Sequence, residues 1–277
     1  MTEKKQKSSD PIPARVYAAI PTDSYTALVL CRRRAKETGV FRWDLLTDKI
    51  TVSQWLKSRI HESLSDISPD GEHFIYTAND KGHSYTAISK APWIKATCFW
   101  WDRGFWGGGF FIDNGHYLLH NGKVGNHKFI DKSLIGVTRS EYAEKHQPFN
   151  AIDEVLFGEH TFCARFMKSG WDFIGKEKKT YIFRKKIDED YLLEKRVHGY
   201  NPDRVELKGK GSFWEDHAII HRHTTNEKPD WEWCEIWHGC IYYSEKGSLY
   251  KLEHITSNAI LLYDFNEETF VCNRAPY

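Results

Sequence analysis

The stretch Ser68-Pro-Asp-Gly-Glu-His-Phe-Ile-Tyr76 decides the fold. Pro69 presets φ for the second position of a turn, Asp70 can hydrogen-bond its own backbone, and Gly71 supplies a positive φ. The residues that follow, His73 to Ala78, are the aromatic and aliphatic types that fit a pleated surface, and they predict a strand. Upstream, Tyr25 to Arg32 reads as a buried strand, Lys36 to Gly39 as a turn, Val40 to Leu45 as a second strand, Thr47 to Lys49 as a turn and Ile50 to Leu56 as a third strand. One strand-turn meander therefore takes roughly 45–55 residues, close to one propeller blade.

The unit recurs downstream. Ile112-Asp-Asn-Gly-His-Tyr-Leu-Leu119 repeats an acidic-Gly turn before an apolar strand. A third unit is expected through Thr161–Phe166, Trp171–Ile174 and Thr180–Arg184. The last runs through Trp233–Trp237, Gly239–Ser244, a turn at 245–247, Ser248–Leu252, Ala259–Asp264 and Thr269–Cys272. Such units cannot bury both faces alone, so they stack around an axis. The expected fold is all-β: a β-propeller of about five or six blades over residues 21–277, with short helices only in loops, Ser140–His146 being the best candidate, and a flexible tail over residues 1–20. A β-sandwich or two small barrels would give similar strand signals.

Composition narrows the function classes. The 277 residues carry 39 Lys+Arg and 38 Asp+Glu, a net charge of +1, which argues against a dedicated nucleic-acid binder. No run approaches the ~18 apolar residues that span a bilayer, so no membrane partner is expected. Eleven Trp, 14 Tyr and 16 Phe against two Met suit strands better than helical bundles. The N-terminal stretch has charge but no apolar core of a signal peptide. Six cysteines scattered through apolar runs read as reduced core residues, and the expected compartment is the cytoplasm.

The segments Thr38–Lys49, Gln54–Lys57, Asp66–Tyr76 and Ile88–Ala96, with Trp106-Gly-Gly-Gly109, resemble uncharacterised bacterial proteins with propeller-like repeats that contain Ser-Pro-Asp-Gly. The resemblance covers roughly residues 25–120. It implies a bacterial, soluble propeller and brings no catalytic residue with it.

The chemistry-bearing motifs mostly fail on geometry. His217, His221, His223, Cys234, His238 and Cys240 are zinc-ligand types, but along one strand Cys234 and His238 would stand about 13 Å apart, too far for one ion. Gly170-Trp-Asp-Phe-Ile-Gly-Lys-Glu177 begins like a phosphate loop, yet Glu177 replaces the hydroxyl that would hold magnesium; a turn between strands is expected. The runs Arg32–Arg34 and Lys176–Lys186 read as solvated strand edges. No Gly-x-Ser-x-Gly elbow is present. Asp102, Asp113, Glu215 and Asp216 are conceivable carboxylates for glycoside hydrolysis, but no pair stands out and no catalytic residue is assigned. No cofactor signal is found.

Two aromatic-acidic clusters remain. Trp100, Trp101, Asp102, Arg103 and Trp106 form one, with Trp100 and Trp101 on opposite faces of a strand. In the other, alternation puts Trp231, Trp233, Glu235 and Trp237 on one face and Glu232 on the opposite one. Exposed Trp and Arg anchors dominate binding energies, so these ten residues are the expected partner-binding surface. The functional expectation is a non-enzymatic bacterial propeller that binds another protein, in its sharpest form an immunity or antitoxin-type protein covering a toxin surface. The alternatives are a glycan-binding or glycoside-hydrolysing propeller and a scaffold subunit of a larger complex.

Overall fold

A computed structural model describes residues 12–34, 36–102, 107–120, 127–129, 131–145, 161–199 and 213–277. Five small sheets stack as a five-bladed β-propeller. Blade one is the antiparallel meander β1 (Arg15–Ala19), β2 (Thr26–Arg34), β3 (Glu37–Asp44) and β4 (Lys49–Leu56). Blade two holds β5 (Asp66–Ile67), β6 (His73–Asp80), β7 (His83–Lys90) and β8 (Ala96–Trp101), with β11 (His127–Phe129) at its outer edge. Blade three is built from β9 (Gly109–Phe111), β10 (His116–Leu119) and β12 (Ile135–Val137), the last pairing in parallel with β10. Blade four contains β13 (Asp172–Glu177), β14 (Thr180–Lys186), β15 (Tyr191–His198), β16 (Trp214–His221) and β17 (Thr224–Lys228). Blade five contains β18 (Trp231–Trp237), β19 (Cys240–Glu245), β20 (Ser248–Leu252) and β21 (Ile260–Asp264). Helix α1 (Arg139–Lys145) matches the expected loop helix over Ser140–Lys145, with His146 outside the described residues, and α2 (Thr161–Lys168) precedes blade four.

The Ser68-Pro-Asp-Gly turn forms as read: the Gly71 N–H donates to the Ser68 carbonyl at 2.9 Å, Gly71 has φ 75°, and Ser68 Oγ donates to Asp70 Oδ1. Apolar layers fill the gaps between blades one and two, two and three, and four and five. Leu28, Leu30 and Val40 of blade one meet Phe74, Tyr76 and Ala87 of blade two. Ile75, Cys98 and Trp100 meet Phe111, Tyr117 and Leu119 of blade three. Tyr181, Phe183 and Leu193 of blade four meet Trp231, Cys234 and Tyr243 of blade five.

The ring closes where blade five meets blade one. Trp233, Tyr242 and Leu249 pack with Val16, Val29 and Trp43, and Trp43 stands edge-on to Tyr242 at 5.0 Å. Ser244 Oγ donates to the Val16 carbonyl at 2.7 Å, and Lys251 pairs with Asp48 at 3.1 Å. Residues 265–277 then run as a strap: Asn273 hydrogen-bonds Ser53 and Gln54, and the Tyr277 hydroxyl donates to the Lys95 carbonyl at 2.8 Å.

Several expectations are corrected. The expected tail of residues 1–20 includes β1, whose Val16 and Ala18 are buried in the closing layer; residues 1–11 lie outside the described residues. Gly39 lies within β3 and not in a turn. Its Cβ position is taken by the Trp55 ring, which a methyl group would approach to 2.8 Å. Thr161–Phe166 is helix, not strand: Phe162, Cys163 and Phe166 repeat with a helical period and pack on Trp171, Tyr181 and Phe183. This helix is therefore part of the core and not a loop ornament. Asp172–Glu177 is strand β13, so the failed phosphate loop is an element and not a turn. Thr269–Cys272 belongs to the strap and forms no strand.

Candidate functional site

β1 and β2 pair with Arg15 directly opposite Arg32. Two like charges across a ladder repel, and here each is met by a carboxylate from another element. Arg15 Nη1 lies 2.7 Å from Glu232 Oε1 on β18. Arg32 Nε lies 3.2 Å from Glu62 Oε1, at the start of a single 3-10 turn (Glu62–Leu64), and Arg59 Nη2 lies 3.6 Å from Glu62 Oε2. These residues line a cleft of about 260 Å³ whose remaining walls include Tyr17, Phe213, Trp214, Pro229, Trp231, Asp230 and Lys246. Lys246 pairs with Asp230 at 3.6 Å. Blades one, four and five and the segment before β5 all contribute. Burial pushes the Arg32 guanidinium below its usual value; Glu62 opposes this, and Arg59 and Arg15 add to it.

The cleft floor is a buried ionic hub. Glu215 on β16 reaches the cleft and pairs with Lys195 at 2.9 Å, and it also meets His217 Nε2 at 3.1 Å. His217 Nδ1 faces the Trp231 carbonyl at 3.1 Å. Burial would raise the Glu215 carboxyl, but Lys195 and His217 outweigh it and hold it at about 2. The Tyr17 phenol is raised to about 12, first by burial, with Arg165 opposing. Arg165, on α2, donates to the Ser65 carbonyl, and Asp66 accepts from the Phe111 N–H at 2.9 Å. Burial raises the Asp66 carboxyl, against the pull of Arg165 and Lys168. Cys234 lies beside this hub, its thiol raised by burial.

The described residues of the predicted partner surface do not form one patch. Trp100 is 2% exposed and packs on Tyr117, so it is core between blades two and three. Trp101 is 47% exposed and stands edge-on to Phe99 at 5.0 Å, as strand alternation requires. Asp102 is buried beside Thr86 and Ser84, and Arg103 and Trp106 lie outside the described residues. The face assignment in β18 is corrected by a bulge: the register shifts between Trp231 and Trp233. Trp231 consequently joins Cys234 and Ile236 towards blade four, while Trp233 is buried towards blade one. Trp237 is half-buried beside Tyr25. Glu235 is taken up by Trp171 Nε1 and Lys185 at 2.9 Å each.

Among the described eight of the ten, only Trp231 and Glu232 line the cleft. Sequence reasoning misses Arg15, Arg32, Arg59 and Glu62. It places Arg15 in a tail and Arg32 in a solvated edge; the signal that could find them is the strand pattern of Arg15–Ala19, which pairs the two arginines. Among the conceivable carboxylates, Asp113 is in a surface turn with His116 at 2.9 Å, and Asp216 bonds His198 at 3.0 Å. Among the described residues no His/Cys/Asp/Glu group is placed to hold a metal, no helix is long and apolar enough to cross a membrane, and all six cysteines are free thiols.

No protein-family model and no curated protein matches the chain. Two solved structures are similar over most of its length. One is the uncharacterized protein lmo1340 from Listeria monocytogenes EGD-e, at 9% identity and a TM-score of 0.31, matched over 87% of this chain and 62% of that one. This chain thus spans under two thirds of that protein. The other is Kuenenia stuttgartiensis hydrazine synthase, at 9% identity and a TM-score of 0.29, matched over 91% of this chain and 79% of that one. Likenesses of this size carry nothing about what the chain binds.

Proposed function

We propose that the chain is a binding propeller that engages another protein at the arginine-lined cleft. The observation that carries this reading is the convergence of Arg15, Arg32 and Arg59 on one aromatic-walled cleft at the join of the ring. Arginine beside Trp and Tyr is the composition of interface hot spots, and a rigid ring presents it with little ordering cost. The groups beneath are held in unreactive forms: a phenol at about 12, a carboxylate at about 2 locked to Lys195, and a raised thiol. A general base or nucleophile needs a value nearer the working pH. The most specific form of this reading is a cytosolic bacterial immunity or antitoxin-type protein that covers a toxin surface; such a role needs a fixed complementary patch and no chemistry.

Affinity capture with the full chain as bait tests this. Wild type and Trp101→Ala are expected to retain the same partner, while Arg32→Glu/Arg59→Glu weakens capture by about 100-fold or more, the loss usual for charged hot spots. Circular dichroism establishes that the double variant is folded, and Arg59→Gln serves if it is not. A partner held equally by wild type and cleft variants would place the interface elsewhere. Turnover of a chromogenic glycoside panel would replace a binding role with glycoside hydrolysis.

A further inference from the structure

A groove of about 390 Å³ lies between blades one and two and shares no residue with the arginine cleft. Thr26 opens β2 and Arg32 lies near its far end, so groove and cleft stand at opposite ends of blade one. One wall is the exposed face of blade one, where Arg42 on β3 pairs with Thr51 on β4 and reaches Thr26. The other wall comes from the Ser68-Pro-Asp-Gly turn, which supplies Asp70 and Glu72. Trp93, in the loop between β7 and β8, completes the lining. Of the ten described tryptophans, Trp93 is the one whose ring packs on no other aromatic ring. The polar walls are uncommitted too. Arg42 makes one long hydrogen bond, from Nη2 to Thr26 Oγ1 at 3.4 Å, and pairs with neither carboxylate. Asp70 Oδ1 is held by Ser68 Oγ and the Glu72 N–H, and Oδ2 has no protein partner. Arg42, Thr51 and Glu72 are exposed and Asp70 and Trp93 half-buried, so a ligand can reach all of them.

We propose that this groove binds a neutral hexose residue of a glycan, with the sugar's C–H face on Trp93 and its hydroxyls bridging Arg42 to Asp70 and Glu72. One wall only donates and the other only accepts. A hydroxyl does both, so neighbouring hydroxyls of one ring satisfy the two walls together. Charged guests fit less well: an anion meets two carboxylates, and a cation meets Arg42. An apolar guest would strip water from all three groups and return no hydrogen bond. A flat aromatic surface with a few fixed polar groups is how a small-ligand site sets orientation, and about 390 Å³ lies above the roughly 300 Å³ at which such sites begin. The acceptor wall is also preorganised. Asp70 is locked by its own turn and by its N–H, which donates to Asn114 Oδ1 at 3.0 Å, so binding costs little ordering there.

The Trp93 indole N–H resonance of the full-length protein, assigned with Trp93→Phe, reports the site directly. In titrations with the methyl glycosides of glucose, galactose and mannose, at least one is expected to shift it saturably, in the millimolar range usual for a single sugar ring. Saturation transfer to that glycoside then compares variants. Trp93→Ala, Arg42→Ala and Glu72→Gln are each expected to weaken binding about tenfold or more, the loss of a stacking surface or of one charged hydrogen-bond set. Trp101→Ala and Arg32→Glu/Arg59→Glu are expected to leave it unchanged. Three results overturn the proposal: no saturable shift with any of the three glycosides, binding of glucuronate or glucosamine as tight as or tighter than the neutral sugar, or full retention of binding by Arg42→Ala and Glu72→Gln. Partner capture at the arginine cleft is read separately, so the two sites stand or fall independently.

Discussion

Asp102 follows β8 directly with its carboxyl buried, accepting from Thr86 Oγ1 at 3.0 Å and Ser84 Oγ at 3.4 Å. Burial raises it from 3.8 to about 6, and the two hydroxyls offset only part of that. A group raised in the fold favours the protonated form there. Its contribution is therefore fully present below pH 3.8 and lost as pH rises through about 6. Relative to Asp102→Asn, wild type should lose on the order of 2–3 kcal/mol across that window, the free energy of a roughly hundredfold change in proton affinity. Denaturant midpoints of both proteins at matched pH values measure the difference. A flat difference would show that the carboxyl is better solvated than its burial implies. The same residue shows what one chain of letters conceals. Asp102 reads as a surface acid in an aromatic-acidic cluster, and its role as a buried acceptor depends on Thr86 and Ser84 from a neighbouring strand.

At the scale of elements, alternation and turn chemistry were legible and exceptions to them were not. The Ser-Pro-Asp-Gly turn, β2, β4, β6 and the last hairpins follow from turn residues and aromatic-aliphatic runs. Gly39 misleads because a glycine marks either a turn or a close approach, and only the register of β3 on β4, Gly39 opposite Trp55, selects the second. Gly39→Ala should destabilise the protein by about 1–3 kcal/mol, since the new methyl meets the Trp55 and Phe41 rings. Thermal melts of Gly39→Ala and Gly39→Ala/Trp55→Leu check this: relief of part of the loss in the double variant is expected if the ring is the obstacle. The bulge in β18 hides the cleft in a similar way. One extra residue sends Trp231 to the face opposite the one that simple alternation assigns, and α2 hides its helical period in a run short enough to read as a strand.

Across the whole molecule, the five-bladed ring lies within the expected five or six because repeat length divides the chain. The site was less legible, since its residues are far apart in sequence: Arg15, Arg59, Glu215 and Glu232 meet only when the last blades return to the first. The hub beneath them joins blades and should govern acid stability. Glu215 is depressed from 4.5 to about 2, so its contribution is present above pH 4.5 and lost as pH falls towards 2. Wild type should therefore lose stability steeply over that interval. Glu215→Gln should be weaker at neutral pH by about 3–5 kcal/mol, because Lys195 is left buried without its partner, and should show a shallower acid transition. Chemical denaturation at stepped pH reads both, and parallel profiles for the two proteins would remove Glu215 from the account.

The cleft straddles the join at which the first and last blades meet, with Arg15 on one side and Glu232 on the other. A guest lodged there touches both lips and works as a keystone. Springing the ring then requires expelling the guest, so occupancy raises the temperature at which the protein opens, by mass action. Heat resistance becomes a gauge of whether the keystone is in place.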